Sequence, residues 1–189
     1  MQIIVRNKKF SATIGGAYNI YDGDHYGKII WAQYNSNNTF DNKYYNDNAL
    51  KKDFNVFVKA NYQLTKNFIF FGDVQMRNVN YSFKGFDANF ENKNQHVQLN
   101  FFNPKVGVTY FLTTNKIMYL SYAVANKEPS RDDYVQSSPA SRPLSENLQN
   151  VEFGYVQKNK RFTYSFNTYY MKYKNQLLKN ANGVHPLNA

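Results

Sequence analysis

The sequence contains no cysteine, which excludes disulfide scaffolds, thiolate zinc sites and thiol redox chemistry. No apolar run approaches the roughly 18 residues of a membrane-spanning helix, and the mean hydropathy is −0.68. Helical spans are thereby excluded, whereas a transmembrane barrel is not, because its strands alternate and look polar on average. Tryptophan occurs once and proline five times in 189 residues. Acids are outnumbered by bases, 13 to 23, and the formal charge of +10 suits nucleic acid, acidic lipid headgroups or anionic ligands. The lysines are nevertheless scattered singly, with no dense basic run, so the plain reading of the charge is a solvated surface. No constellation of nucleophile, base and orienting acid appears, so the sequence points away from an enzyme; neither a resident metal nor a cofactor is expected.

What the chain does have is aromatic residues, 17 Tyr and 16 Phe, which suit strands and surfaces that are part apolar and part wet. The clearest segment runs from Phe101 to Lys127. Val106, Val108, Tyr110 and Leu112 alternate with Lys105, Gly107 and Thr109, and after Thr113-Thr114-Asn115-Lys116 the apolar set continues as Met118, Leu120, Tyr122 and Val124. A period of two on both sides of a compact polar break reads as an antiparallel hairpin. A soluble sandwich gives the same alternation, so the pattern alone leaves the solvent of the apolar face open.

The same period marks seven strands, roughly Phe10 to Tyr18, Phe54 to Leu64, Phe68 to Phe83, Phe101 to Leu112, Lys116 to Ala125, Leu148 to Gln157 and Arg161 to Lys174. Between the first two, YDGDHYG at 21–27, IIWAQY at 29–34 and an Asn-rich tract at 35–48 read as one long loop carrying a short hairpin of its own. Pro129, Pro139 and Pro143 exclude a regular strand from 128–147. After Gln176 the pattern dissolves.

Connections alternate between long and short, with short turns near Lys66, Asn115 and Asn159. All long loops therefore gather at one end of an all-β, antiparallel up-and-down meander. Short turns at one end and long loops at the other are the mark of outer-membrane barrels. On that reading Val56, Val58, Val106, Val108, Leu120, Val124, Phe162 and Phe166 face lipid, and lysine is tolerated far better at Gly107 or Ser165 than among them.

NPKVGVTY at 103–110, YLSYAVANKEPSRDDY at 119–134, LSENLQNVEFGY at 144–155 and FNTYYMKYKNQL at 166–177 closely resemble the later barrel strands of TonB-dependent outer-membrane receptors. YDGDHYGKIIWAQY at 21–34 and FNVFVKANYQL at 54–64 fit the same family. The resemblance implies a bacterial outer-membrane location and a role in importing a scarce ligand of the iron chelate, haem, cobalamin or glycan class. It also implies, as partners, outer-membrane lipid, a plug domain with the remainder of the barrel, and TonB acting through that plug. Against the family pattern the chain has no plug and no TonB-contacting segment. It has about seven strands where such barrels have about 22, and no terminal aromatic strand. Gln2-Ile3-Ile4-Val5 ahead of Arg6-Asn7-Lys8-Lys9 inverts the order of an export signal. The expectation is one partial barrel domain over 1–189.

Candidate ligand-binding residues in the loops are Tyr21, Asp22, Asp24 and His25, whose DxDH run could hold a metal-bearing ligand or simply build an Asx turn at Asp22-Gly23. Glu128, Arg131 and Asp132 form the second set, a ligand vestibule or a salt-bridge network ordering the rim. Lys59, Asp73, Arg77, Lys105, Glu152 and Asn167 are expected to face the lumen and the plug. The reading from a different class is a soluble β-sandwich that binds carbohydrate through Tyr and Trp31. Nucleic-acid binding, with support only in YYMKYK at 169–174, is not expected.

Overall fold

The computed structural model describes the chain except residues 32, 35–42, 85–93, 136, 138–141, 181–182 and 188–189, together with the side chains of 135 and 177–187. Eight strands form one sheet: β1 (Gln2–Arg6), β2 (Phe10–Lys28), β3 (Lys43–Gln63), β4 (Phe68–Lys84), β5 (Gln95–Thr113), β6 (Lys116–Lys127), β7 (Glu146–Lys158) and β8 (Thr163–Lys174). Their spatial order is their sequence order, so the sheet is a meander whose first and last strands each have one neighbour. Lengths of 12 to 21 residues in β2 to β8 far exceed the usual 5 or 6, approximately, and exceed the roughly 9 to 11 that cross a bilayer.

Turn chemistry explains the short connections. Asn7 Oδ1 accepts the amides of Lys9 at 2.9 Å and Phe10 at 2.8 Å. Thr65 Oγ1 does the same for Asn67 at 3.2 Å and Phe68 at 3.1 Å. Thr113 donates to Asn115 Oδ1 at 2.6 Å, and the Asn159 amide closes onto the Phe162 carbonyl at 2.8 Å. Short polar side chains replace the backbone partners that a reversing chain loses.

The first of these turns corrects the reading of seven strands to eight. Gln2–Arg6, whose apolar-before-basic order departs from that of an export signal, pairs antiparallel with Ser11 to Gly15. Five residues are too few for a period of two to stand out beside the basic turn that follows. Beyond β8, Asn175 adopts φ 55° and turns the chain away, a conformation that Asn tolerates better than most residues. A separate two-stranded sheet follows, β9 (Gln176–Asn180) with β10 (Gly183–Leu187), where no regular structure was expected.

The long connections are shorter than the sequence suggests. β2 continues to Lys28 and β3 begins at Lys43, so YDGDHYG lies in a strand and Ile29 to Trp31 do not. The Asn-rich tract falls largely outside the described residues. Between β6 and β7 a single helical turn, α1 (Arg131–Val135), follows the prolines' exclusion of strand.

The chain divides into two compact units. One holds Met1–Ala17, Asn55–Arg77 and Phe101–Ala189; the other holds Tyr18–Phe54 and Asn78–Asn100. In the first, Phe101 and Tyr134 are buried, while Val106 stays 52% and Leu120 48% exposed. That exposure sinks the soluble-sandwich reading, which needs those residues inside a core. The second has a small interior of Ala49, Val79 and Phe83.

Candidate functional site

Registers in the first unit fix its two faces. Val106 lies opposite Tyr122, Val108 opposite Leu120 and Tyr110 opposite Met118. Leu120 in turn faces Phe153, Tyr122 faces Val151, and Val151 and Tyr155 face Tyr170 and Phe166. Directly opposed residues share a face, so this is one apolar surface across four strands. Val58, Phe162 and Phe166 are exposed as expected. Val56, Val108 and Val124 are half-buried, Val108 because it lines a shallow apolar groove with Phe70, Leu120 and Val151.

The opposite face is polar and tied together by side chains. Glu152 Oε1 accepts from Tyr119 Oη at 2.8 Å and Asn167 Nδ2 at 2.9 Å. Lys59 Nζ lies 3.5 Å from Asp73. Lys105 Nζ sits 5.7 Å from the centre of the Phe71 ring. Lys59, Asp73, Gln75 and Lys105 line a depression of about 420 Å³ together with Asn55 and Phe57. Of the six residues expected on one face, Lys59 thus pairs with Asp73 and Glu152 with Asn167, while Lys105 lies by the Phe71 ring. Arg77 joins a different set, 3.5 Å from Glu128 and 5.9 Å from the Phe101 ring centre.

Three glycines on the polar face are covered by aromatic rings. A side chain at Gly15 would collide with Phe57, at Gly107 with Phe71 and the Leu120 carbonyl, and at Gly154 with Tyr119. The expectation that Gly107 would accept lysine is therefore wrong: its face is right, but the space is filled.

Near Pro104 the β5–β6 ladder ends, its last pair being Lys105 with Ala123. Proline has no amide to donate, and the Asn103 side chain takes over. Its Oδ1 accepts the Asn126 amide at 3.0 Å and Asn126 Nδ2 at 2.9 Å, while its Nδ2 reaches Gln75 at 3.3 Å. Asn147 extends the run to Asn126 at 2.8 Å. The proline and the asparagines were visible in the sequence, but their adjacency depends on register.

The 128–135 segment packs through Tyr134, 3% exposed. Ser130 caps α1 reciprocally with Asp133: its amide and hydroxyl donate to Oδ2 at 2.8 and 2.7 Å, and its Oγ accepts the Asp133 amide at 3.3 Å. Ser130-x-x-Asp133 was a legible capping signal that the sequence reading passed over. Burial, then the Glu128 and Asp133 carboxylates, push the Tyr134 hydroxyl up to about 12, against the opposing pull of Arg142. Of the expected rim residues, Glu128 ties to Arg77, Arg131 lies within α1 half-buried, and Asp132 is exposed.

In the second unit Asn48 Nδ2 donates to both Asp22 Oδ1 and Asp24 Oδ1 at 3.0 Å. Tyr21 and His25, on the other side of β2 by alternation, approach each other at 3.4 Å. The DxDH run is therefore neither an Asx turn nor a loop chelate but a strand, its two carboxylates bracketing an amide from β3. Among the described residues no group of three metal-ligating side chains converges.

The TonB-dependent receptor-like β-barrel family pattern matches residues 4–188. The chain belongs to this family. TonB-dependent receptors are outer-membrane β-barrels, and the bacterial outer membrane is where this sheet resides. Similar solved structures include the ferric-catecholate import receptor Fiu of E. coli K12, 15% identical with a TM-score of 0.68, covering 98% of this chain and 32% of that one. The copper transporter OprC aligns at 12% identity and TM-score 0.76, over 99% and 31%. The ferric yersiniabactin uptake receptor FyuA of Yersinia pestis aligns at 13% and 0.66, over 96% and 28%. The chain thus spans about a third of the length of the first of these receptors. No curated protein matches the sequence.

Proposed function

We propose that this chain is a single partial-barrel domain, 1–189, of an importer that draws a scarce ligand across the outer membrane with energy passed from TonB. The supporting observation is the division of one set of strands into a continuous apolar face and an opposite face of hydrogen-bonded polar groups. The apolar face of Val106, Leu120, Val151 and Phe166 meets lipid. Lys59, Asp73, Lys105, Glu152 and Asn167 face the lumen, where a plug domain offers partners for their charges. Family members are transporters and receptors rather than enzymes, and they work with a plug and TonB. This chain's part is binding and passage, with no covalent chemistry.

The ligand falls in the iron chelate, haem, cobalamin or glycan class, and the similar structures named for ferric chelates favour the first. Tyr21, Asp22, Asp24, His25, Glu128, Arg131 and Asp132 are its proposed contacts on the long-loop side. The remainder of the barrel pairs with the open edges of β1 and β8, whose backbone groups find no partner in lipid. Deleting the reading frame that carries this segment, in strains with and without TonB, tests the proposal. Uptake of one ligand class should fall only where TonB is present. Unchanged uptake of all four classes, or a loss independent of TonB, contradicts it.

A further inference from the structure

We propose that the short-turn end of the sheet is a cationic collar that binds the anionic phospholipid headgroups of the leaflet on that side. The lysines look scattered in the sequence, but the fold gathers them. Arg6-Asn7-Lys8-Lys9, Thr65-Lys66-Asn67, Thr113-Thr114-Asn115-Lys116 and Lys158-Asn159-Lys160-Arg161 hold eight cations and no acid. Lys116 is half-buried and the other seven are exposed.

Hydrogen bonds hold these turns side by side. The Gln63 amide donates to the Lys9 carbonyl at 2.8 Å, Phe111 to Asn67 at 2.8 Å, and Lys158 to Asn115 at 2.9 Å. No carboxylate on the adjoining strands comes nearer than Asp73 and Glu152, six residues from their turns, or about 20 Å along an extended chain. The collar is unneutralised along its length.

Two further observations favour a lipid partner over an acidic protein. Directly inside the cations, on the apolar face, lies a row of exposed aromatics: Tyr62, Phe68, Tyr110, Phe162 and Tyr164. Phe68 stacks on Tyr110 at 4.4 Å and Phe162 on Tyr164 at 5.9 Å. Aromatics with a polar or cationic rim mark the depth where acyl chains give way to headgroups. Beside the first turn, Arg6, Lys8, Lys9, Asn61 and Gln63 also line a concavity of about 200 Å³. It offers three cations and two amides to one phosphodiester. The inference rests on the lipid-facing reading of the apolar face, and adds to it a chemical preference at one end.

The test uses the full chain refolded in zwitterionic detergent micelles, titrated with short-chain phosphatidylglycerol or phosphatidylcholine and followed by amide NMR. Phosphatidylglycerol alone should shift Lys8, Lys9, Lys66 and Lys160 first. The K8Q/K9Q/K158Q/K160Q variant should lose at least about tenfold in apparent affinity, since each cation near a lipid surface contributes about fivefold. Removing four lysines elsewhere, K52Q/K84Q/K172Q/K174Q, should leave the affinity within about twofold. Equal losses in the two variants would assign the effect to net charge and overturn the proposal, as would shifts centred outside the turns. Competition by polyglutamate as effective as by phosphatidylglycerol would assign the collar to an acidic polypeptide and also overturn it. Counting co-purified phosphatidylglycerol on the complete receptor by native mass spectrometry gives a second readout, in which the K8Q/K9Q/K158Q/K160Q variant must lose lipid and the control must not. Failure of the chain to enter micelles or bilayers at all, with phosphatidylglycerol still bound at the turns in detergent-free buffer, would remove the lipid-facing reading and leave the collar standing.

Discussion

Leu120 and Ser121 are consecutive residues on opposite sides of the sheet, and their surroundings have little in common. On the Leu120 side, apolar side chains from β5 to β8 lie exposed or half-buried beside one another, with no layer of the described residues packed over them. On the Ser121 side, polar groups hold one another: Glu152 accepts from Tyr119 and Asn167, and Lys59 lies beside Asp73. Burial alone does not separate the faces, since both contain exposed residues. What separates them is where the polar groups are placed, and a membrane imposes that difference, because lipid offers a polar group no hydrogen-bond partner whereas the other side can offer water and protein.

The largest effects should follow from placing charge on the wrong face. In the complete receptor folded into lipid vesicles and titrated with urea, Leu120→Lys should cost about 2–4 kcal/mol, against less than about 1 kcal/mol for Ser165→Lys on the other face. Equal costs would erase the distinction between the faces.

Next in size are the ring-covered glycines. Gly107→Ala drives a methyl into the Phe71 ring and the Leu120 carbonyl and should destabilise by about 1–3 kcal/mol, as overpacking does. At Gly154 the three nearest obstructing atoms all belong to the Tyr119 side chain, so Gly154→Ala should cost about 1 kcal/mol, through loss of the Tyr119–Glu152 bond. In a Tyr119→Ala background most of that cost should vanish. A double-mutant cycle reads the coupling, and strict additivity would show that the ring does not cover the glycine.

Smaller still is the repair at Pro104. Asn103→Ala removes the acceptor that replaces a ladder bond to Asn126, at an expected cost of about 0.5–1.5 kcal/mol. The mildest effect is one of pH and is confined to the β6–β7 connection. Tyr134 holds its proton more tightly when docked than when free. Its contribution is complete below pH 10 or so and is lost as pH rises toward about 12. Proteolysis between Lys127 and Glu146 should accelerate over that window in the native protein and lose this step in Tyr134→Phe.

Much of this was readable from alternation. The faces of β5 and β6, the turns at Lys66, Asn115 and Asn159, and the grouping of the long loops follow from a period of two and from turn residues that satisfy their own backbone. Where the reading fell short, the deciding contact was nonlocal. The carboxylates of Asp22 and Asp24 look like a loop motif until Asn48, 24 residues beyond Asp24, is placed beside them. Gly107 looks permissive until register brings Phe71 over it. The pairing of Lys59 with Asp73 and of Glu152 with Asn167 depends on inter-strand register, which one sequence does not carry. The four basic turns read as scattered charge for the same reason.

No native cysteine competes for label within these 189 residues. Single cysteines introduced in turn at 120 to 124 of β6 and 149 to 153 of β7, spin-labelled in the membrane-inserted receptor, report oxygen and nickel-chelate accessibility residue by residue. The lipid-facing account predicts oxygen maxima at 120, 122 and 124 and at 149, 151 and 153, with the intervening positions shielded from oxygen. Accessibility without a period of two, or with its maxima at Ser121, Ala123, Asn150 and Glu152, would contradict the account.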